Sequence, residues 1–412
     1  MGVKIAVVGG GSTYTPELIE GFHSRRERLP VDELVLLDID AERLAVVGGL
    51  AQRILDRHEW PGRLLLTGDR DRALEGASYV IVQLRVGGQA ARLSDETLPL
   101  EFGCIGQETT GPGGFAKALR TVPVVMEIAE ETARLGAKDA WVVDFTNPVG
   151  IVMQALLDDG HRAIGLCNSA MGFQRRFAAM LDVDPGRVLL DHVGLNHLTW
   201  ERAVLVDGTD RLPGLLAAHE EEIAAHTALP AAVTRELGAV PSYYLHYFYE
   251  HDAVVAEERT RPTRAQEVAR LERELLAMYA DPALDHKPAL LGERGGAYYS
   301  EAAVDLLSSL AGDQRDTQVV NLRNDGTLPF LPDEAVIEVP AVIGADGPQA
   351  RPVAPVTPHM RGLIGHVSGY EELAVDAALR GGRDRVAAAL LAHPLVGQFD
   401  LAGRLADRLI EE

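Results

Sequence analysis

A cysteine and a histidine are the residues of this sequence whose types could hold a catalytic metal ion. Cys167 follows the apolar run at 163–166, and His197 lies in the segment VGLNHLTW. One thiolate and one imidazole leave open the coordination positions that a catalytic metal needs. The pair forms no spacing motif, and a lone cysteine or histidine is usually structural. The metal site is therefore a hypothesis that needs support from other segments.

A second candidate lies in the segment DFTNPVG at 144–150. It follows a predicted strand, and doubly wound folds bind their ligands at the carboxyl ends of the strands. An Asn-Pro pair can also be a simple turn. We favour a binding function and expect Asn147 to face a nicotinamide ring.

The elements that would position these residues begin with a glycine-rich turn near the N-terminus. The apolar run at 4–8 predicts a buried strand, and Gly9, Gly10 and Gly11 follow it directly. Such a turn before a helix accepts a pyrophosphate. A second predicted strand ends in Asp38, a carboxylate suited to an adenosine ribose, which favours NAD over NADP. The third glycine of the usual motif is replaced by Tyr14. The predicted cofactor-binding residues are Gly9, Gly10, Gly11, Ser12, Thr13, Asp38 and Asn147.

Strand and helix patterns alternate through roughly residue 190, with strands predicted over 77–84 and 140–145 and a helix over 115–135. This alternation predicts an α/β fold with a doubly wound, parallel, Rossmann-like sheet. We expect an NAD-binding domain over 1–190 and a second α+β lobe for substrate and metal over 191–412. A Gly/Pro-rich stretch at 344–355 is interpreted as a hinge.

Composition limits the classes of partner. The chain has 412 residues, with 39 basic and 61 acidic side chains and a net charge of −22. That charge repels nucleic acid and anionic membranes, so we expect neither partner, and an anionic substrate would need local arginines. The sequence shows no apolar run of membrane-spanning length and no leader pattern, which favours a cytoplasmic protein. Two cysteines are too few for a disulfide framework.

Several further segments have unusual sequences and follow one another in a specific order. They are GGGSTYTP at 9–16, RVGGQAARLSDE at 85–96, GQETTGPGG at 106–114, PSYYLHY at 241–247, TRAQEV at 263–268, RGGAYYS at 294–300 and NDGTLPFLPDEAVIEVP at 324–340. Together with DFTNPVG, Cys167-Asn168 and GLNH, this set resembles the NAD- and divalent-metal-dependent glycosidases of glycoside hydrolase family four. The resemblance covers essentially the whole chain and is greatest to the 6-phospho-β-glucosidases. It also implies a lactate/malate dehydrogenase-like fold, because the two families look related.

The resemblance implies a redox-assisted elimination, unlike the two-carboxylate route of most glycosidases. Bound NAD⁺ would take a hydride from C3 of the sugar, while Mn²⁺ on Cys167 and His197 would polarise the C2 and C3 oxygens. By family position, Tyr244 would then remove the C2 proton, and Glu108 would raise its basicity. Elimination of the aglycone, addition of water and return of the hydride would complete a cycle without net redox. Without the resemblance, the tyrosines at 243–247 would be interpreted as an aromatic helix face.

The resemblance also assigns substrate contacts and a stereochemical preference. The expected substrate-binding residues are Arg92, Asn147, Arg264 and Arg294, although Arg264 alone would be interpreted as a solvated surface residue. Asn168 occupies the catalytic position where the α-acting branch carries an aspartate as proton donor, which favours β-glycosides. The string Cys-Asn-Ser-Ala differs from the Cys-Asn-Val-Pro of typical β-acting members, so the aglycone and phosphate preferences stay open.

The expected substrate is a phosphorylated disaccharide or β-glucoside, and the expected assembly is a homodimer or homotetramer. Three other functions are alternatives to this interpretation. One is a family-four glycosidase that acts on unphosphorylated or α-linked sugars. Another is a lactate/malate-type hydroxy-acid dehydrogenase, which TNPVG and the spacing of Arg85 and Arg92 would also suit. A non-catalytic NAD-binding sensor ranks last, because it would not need Cys167, His197 and Tyr244.

Overall fold

Six parallel strands form one half of the central sheet. The computed structural model of the chain describes residues 2–295 and 298–411. The parallel strands are β1 (Val3–Val8), β2 (Val31–Leu37), β3 (Arg63–Thr67), β4 (Tyr79–Val82), β5 (Trp141–Asp144) and β6 (Ala163–Gly165). They lie in the order β3-β2-β1-β4-β5-β6, with every neighbouring pair parallel. This is the doubly wound order, so the predicted fold class is confirmed.

Helices connect these strands and cover both faces of the sheet, which explains why the strands are nearly continuous apolar runs. They are α1 (Thr15–Ser24), α2 (Ala41–Arg57), α3 (Arg70–Leu74), α4 (Gly88–Glu101), α5 (Gly111–Leu135), α6 (Val149–Asp158) and α7 (Ser169–Leu181). The helix predicted over 115–135 thus begins earlier, at Gly111. Its glycine-rich first turn permits close packing, because a Cβ on Gly113 would lie 2.1 Å from the Asp95 carbonyl oxygen.

Antiparallel strands continue the same sheet beyond β6. They are β7 (Val188–Leu195), β8 (Leu198–Val206), β9 (Thr209–Asp210), β10 (Val240–Pro241), β11 (Asp316–Arg323), β12 (Val336–Gly344) and β13 (Gly347–Ala350). The order onward from β6 is β11-β12-β7-β8-β10, while β13 pairs with β12 and β9 pairs with β8. Residue 190 therefore falls inside β7, within one continuous sheet. The division into 1–190 and 191–412 stays a prediction.

The remaining helices belong to the second half of the chain. They are α8 (Leu212–Ala218), α9 (Glu220–Thr227), α10 (Ala231–Leu237), α11 (His246–Tyr249), α12 (His251–Glu258), α13 (Arg264–Tyr279), α14 (Tyr299–Gly312), α15 (Pro358–Arg380), α16 (Arg383–Ala392) and α17 (Phe399–Glu411). Short 3-10 turns lie at Pro185–Arg187, Tyr243–Leu245 and Ala289–Arg294. Within the described ranges, none of the helices is both long and apolar enough to span a bilayer.

The second half packs directly onto the first. Helix α14 lies against α1, and α15 lies against α5 and α6. The rings of Phe115 on α5 and Tyr370 on α15 meet edge to face at 6.0 Å. Buried side chains from both halves of the chain therefore belong to one continuous core.

The prediction of a hinge over 344–355 is wrong for its first part, residues 344–350. Strands β12 and β13 form a tight antiparallel pair that closes at Gly344 and Gly347. Gly347 has a φ of +111°, a conformation that glycine adopts without strain. The glycines at this point therefore serve a hairpin turn.

Candidate active site

The Gly9–Gly11 turn joins β1 to α1 at the carboxyl edge of the parallel strands. Gly9 has a φ of +85°, and a Cβ there would lie 2.7 Å from the Gln83 carbonyl oxygen, so only glycine fits. The Gly11 N–H donates to Asp38 Oδ2 at 2.8 Å, and Ser12 Oγ accepts from the Tyr14 N–H at 3.2 Å. The structure thus brings the predicted ribose carboxylate beside the predicted pyrophosphate turn.

An ion-pair cluster supports this turn from the side of α13. Arg294 pairs with Glu272 at 2.9 Å, and Thr13 Oγ1 lies 3.4 Å from the same carboxylate. Arg43 also pairs with Glu272 at 3.3 Å and donates to the Gly11 carbonyl oxygen at 2.7 Å. Arg294, predicted as a substrate contact, therefore lies at the nucleotide turn.

Asn147 lies just after β5, at the same edge of the sheet. Its side chain hydrogen-bonds Tyr299, the first residue of α14. Its Oδ1 atom is buried and has no hydrogen-bond partner among the described residues. A buried acceptor without a partner is uncommon in proteins and is available to a ligand. Tyr299 was not singled out from the sequence.

Cys167 and His197 have the chemistry that a divalent metal requires of its ligands. The Cys167 sulfur accepts hydrogen bonds from the Ser169 N–H at 3.5 Å and from the Asn196 side chain. The pKa of Cys167 lies well above its ordinary value. Burial and the charge of Glu338 raise this pKa by more than the hydrogen-bond donors lower it. Burial lowers the pKa of His197 to about 4, which keeps the imidazole neutral as a metal ligand must be.

The His197 Nδ1 atom is buried and lacks a partner within the described ranges. No cluster of three or more His, Cys, Asp and Glu residues suited to a metal occurs in the part of the chain that the structure describes. A thiolate, an imidazole and open positions are the donor set of a catalytic ion that also binds substrate. The two residues therefore fit the predicted metal.

Glu108 lies within a ring of cations. It pairs with Arg85, with Arg92 at 3.1 Å and with Lys117 at 2.8 Å. Although burial opposes the charged form, these cations hold the pKa of Glu108 well below its ordinary value. Burial lowers the pKa of Lys117 to about 8. Arg92 has a second partner in Glu96, at 2.7 Å. Lys117 was not predicted as a site residue, and Arg85 was named only for the alternative dehydrogenase.

Tyr244 lies in the 3-10 turn Tyr243–Leu245 rather than on the helix face that periodicity alone would suggest. Its ring stacks on the His197 ring, with centroids 3.6 Å apart and planes 14° apart. Burial, together with the charges of Cys167 and Glu108, raises the pKa of Tyr244. The phenol is therefore protonated at neutral pH unless a cation at Cys167 and His197 stabilises the phenolate.

Asn168 and Arg264 flank this cluster. Asn168 immediately precedes α7, and its backbone N–H hydrogen-bonds the Cys167 sulfur. Arg264 begins α13 and is exposed, and it donates to the carbonyl oxygens of Glu293 and Arg294 at 2.9 and 3.0 Å. Its charge also acts on Tyr243, the neighbour of Tyr244. Arg264 thus binds the backbone of the 3-10 turn that carries Arg294.

A buried polar row lies behind Cys167 and was not found from the sequence. His192 Nδ1 lies 2.6 Å from Glu201 Oε1, and His192 Nε2 lies 3.0 Å from Glu338 Oε1. Asn196 and Asn321 each donate to Glu338 Oε2 at 2.9 Å. A polar residue inside an otherwise apolar strand was the available signal, since Glu338 lies within AVIEVP.

Comparison with known protein families gives the context for this geometry. Residues 4–183 match the Family 4 glycosyl hydrolase profile, and residues 192–396 match the Family 4 glycosyl hydrolase C-terminal domain. The chain belongs to glycoside hydrolase family 4. This confirms the family predicted from the ordered segments, and the two matches together cover most of the chain.

Individual members of the family match over nearly the full length. A probable 6-phospho-beta-glucosidase of Bacillus subtilis is 39% identical over 425 residues, which cover 100% of this chain and 96% of that protein. A solved structure of the 6-phospho-beta glucosidase from Thermotoga maritima, with manganese, NAD+ and glucose-6-phosphate, superposes with a TM-score of 0.94. It is 33% identical, covering 99% of this chain and 98% of that chain.

The fold is shared more widely than the family. Malate dehydrogenase from Salinibacter ruber superposes with a TM-score of 0.55 at 16% identity, covering 93% of this chain and 99% of that chain. This similarity concerns the fold alone, and it confirms the predicted dehydrogenase-like architecture.

Proposed function

We propose that the protein hydrolyses 6-phospho-β-glucosides with the help of NAD⁺ and a divalent metal such as Mn²⁺. The observation that carries the proposal is the stacking of Tyr244 on His197 at 3.6 Å, with the charges of Cys167 and Glu108 both acting on the phenol. We infer that Tyr244 as the base, Cys167 and His197 as metal ligands and Glu108 as a modulating carboxylate act as one site near the end of β6. The 6-phospho-beta-glucosidases at 39% and 33% identity support this activity.

In the proposed reaction, each group of the site has a different role. When bound, NAD⁺ supplies hydride acceptance at C3 of the sugar, and the metal supplies polarisation of the C2 and C3 oxygens. Cys167 and His197 would hold the metal, and the Gly9–Gly11 turn with Asp38 would hold the dinucleotide. Tyr244 removes the proton at C2, which lets the aglycone leave from C1. Water then adds at C1 while Tyr244 returns a proton to C2, and reduced cofactor, when bound, would supply the hydride that restores C3, so no net redox change would remain.

Charge around Glu108 supports a phosphorylated substrate. Arg85, Arg92 and Lys117 outnumber Glu108 and Glu96, the two carboxylates that they pair with, and they do so in a protein with a net charge of −22. A local excess of positive charge favours an anion, and arginine suits a phosphate because its planar fork donates two hydrogen bonds. We assign substrate contacts to Arg92, Asn147, Arg264 and Arg294.

Asn168 supports the β over the α configuration. It directly follows Cys167, and its side chain is an amide, which cannot act as a proton donor in the way that a carboxylic acid can. The α-acting branch of the family uses an aspartate at this position. The departing β-linked aglycone would therefore take its proton from another source.

We further propose that the enzyme works as a homodimer or homotetramer in the cytoplasm. Several large apolar side chains of the C-terminal helices are exposed, among them Phe399 at 80% and Ile410 at 49%. Burial of such residues between subunits is favourable. Light scattering coupled to size-exclusion chromatography measures the assembly, and a monomer at micromolar concentration would contradict this part of the proposal.

Hydrolysis of p-nitrophenyl 6-phospho-β-glucoside tests the activity. We expect release of p-nitrophenol only when both Mn²⁺ and NAD⁺ are present, and much slower release from the unphosphorylated glucoside and from the 6-phospho-α anomer. A substrate deuterated at C2 should lose its label to solvent during turnover. Product that retains all of its C2 deuterium would refute the elimination route. Net accumulation of NADH with a hydroxy acid, without glycoside cleavage, would favour the dehydrogenase instead.

A further inference from the structure

The buried polar row behind Cys167 follows the register of five neighbouring strands. Glu201 on β8 is the cross-strand partner of His192 on β7. Glu338 on β12 pairs with Asn321 on β11, and Asn321 in turn is opposite Gly165 on β6. One residue, Leu166, separates Gly165 from Cys167. The row therefore runs across the sheet and ends beside the predicted metal ligand.

Every member of the row is almost completely removed from solvent. His192 and Asn321 are 0% exposed, and Glu201 and Glu338 are 1% exposed. Burying charged and polar groups is costly unless they are paired, and here each one has a partner at 2.6–3.0 Å. Apolar side chains at these positions would avoid the cost of removing polar groups from water. Packing alone therefore does not explain why the row is polar.

Glu338 connects the row to Cys167 through Asn196. Its Oε2 atom accepts from Asn196 Nδ2 at 2.9 Å, and the same Asn196 side chain hydrogen-bonds the Cys167 sulfur. Asn321 and His192 hold the Glu338 carboxylate in place from two other directions. The carboxylate charge also acts on both Cys167 and His197.

We propose that Glu338 is a positioning residue of the metal site, which orients the Cys167 sulfur through Asn196 and supplies a fixed negative charge behind the cation. This inference rests on the proposed metal site at Cys167 and His197. Hydrogen bonds just outside the ligand set orient the ligands toward the metal, and a negative charge behind the ligands favours a bound cation. His192, whose pKa Glu201 and Glu338 raise to about 10 against the effect of burial, keeps the carboxylate ionised and immobile.

The test is the affinity of the full-length protein for Mn²⁺ alone, measured from the electron paramagnetic resonance signal of free Mn²⁺. Glu338→Gln keeps the size of the side chain and removes its charge. We expect its Mn²⁺ affinity to fall by about 10- to 100-fold, the usual effect of changing such a residue. NADH binding, followed by fluorescence, should stay unchanged because the glycine turn is untouched.

Glu201→Gln is the matched control. It makes the same chemical change at the other side of His192, and His192 can still pair with Glu338 at 3.0 Å, so the loss of Mn²⁺ affinity should be clearly smaller than in Glu338→Gln. Equal losses in the two variants would show a general disturbance of the row and would overturn the proposal. Wild-type affinity in Glu338→Gln would also overturn it.

If Glu338→Gln does not fold, the variant Asn196→Ala tests the proposed link between Glu338 and Cys167. Asn196→Ala removes only the bridging amide and leaves Glu338 paired with His192 and Asn321. We expect weaker Mn²⁺ binding and a shifted thiolate-to-metal charge-transfer band with Co²⁺, which reports on the Cys167 sulfur directly. An unchanged band and affinity would refute the bridge. A wild-type protein without Mn²⁺ affinity would refute the proposed metal site itself, and this role with it.

Discussion

At the scale of single residues, the catalytic contribution of the Tyr244 hydroxyl can be tested separately from the packing of the Tyr244 ring on His197. Tyr244→Phe keeps the ring that lies 3.6 Å from His197 and removes only the hydroxyl. If this hydroxyl removes the C2 proton, turnover should fall by roughly 10²- to 10⁴-fold, the usual cost of losing a general base. Steady-state kinetics with p-nitrophenyl 6-phospho-β-glucoside measure the loss, and the KM should change little.

Tyr243 offers a control for that substitution. It is 45% exposed and meets the Tyr244 ring edge to face at 5.9 Å. Tyr243→Phe therefore removes a hydroxyl from the same turn without touching the proposed base. Comparable losses of turnover in both variants would argue that the turn, and not the Tyr244 hydroxyl, is what matters.

The two free cysteines allow a similar comparison for the metal. Both Cys104 and Cys167 are buried. Cys167→Ser should abolish Mn²⁺-dependent turnover, because a hydroxyl is a far poorer metal ligand than a thiolate, while NADH binding persists. Cys104→Ser should keep metal-dependent turnover, since no metal ligand is lost. Activity of Cys167→Ser after removal of all metal would contradict the metal site.

At the scale of elements, helix α15 carries a buried carboxyl group into the core near His197. Glu371 is 9% exposed and lines a cavity of about 40 Å³ that also borders Asn196 and His197. Burial raises the pKa of Glu371 from 4.5 to about 8. Between these two values the folded protein retains a proton that the unfolded chain releases. The stabilising contribution is therefore complete below about pH 4.5 and is lost as the pH rises through 8.

Glu371→Gln should remove this dependence on pH. An amide cannot ionise, so the variant should be more stable than the wild type at pH 9, by on the order of a few kcal/mol, and the difference should vanish near pH 4. Urea unfolding at pH 5, 7 and 9 measures the free energy of unfolding. Glu372→Gln, at an exposed neighbouring position, should follow the wild-type curve. A constant difference between Glu371→Gln and wild type at all three pH values would refute the assignment.

At the scale of the whole molecule, one sheet and one core join both halves of the chain. Because β7 crosses residue 190 and α14 and α15 pack on the first half, we expect a single cooperative unfolding transition. Far-UV circular dichroism and tryptophan fluorescence should give the same midpoint, as Trp60 and Trp141 lie before residue 190 and Trp200 lies after it. NAD⁺ at 100 times its Kd should stabilise the entire transition by about 2.7 kcal/mol.

Two separate transitions would contradict this expectation. If NAD⁺ shifted only the first of them, the result would instead support independent domains divided near residue 190. The ligand-dependent shift makes the two outcomes distinguishable, because ligand binding stabilises only the unit that unfolds together with the site.

Local sequence was sufficient to predict the nucleotide turn and most of the parallel strands, although β3 was not predicted. The Gly9–Gly11 turn, Asp38 and the apolar strands follow from periodicity and turn chemistry, which act over a few residues. The ordered segments were enough to name the family, and through it Cys167, His197, Tyr244 and Glu108 as candidates. Even so, β11 was not predicted, because its pairing with strands distant in sequence determines it. The β12–β13 hairpin was interpreted as a hinge, because glycine and proline are typical of both turns and hinges.

Only the tertiary structure decided what surrounds those candidates. Glu338 reaches Asn196 across 142 residues of sequence, and the Arg85, Arg92 and Lys117 side chains converge on Glu108 from two different helices and a loop. Contacts of this kind leave no periodic signal, since they depend on strand order and register and not on neighbours in the chain. The sequence therefore determined which residues could do the chemistry, and the packing of the sheet determined the charges and hydrogen bonds that prepare them for it.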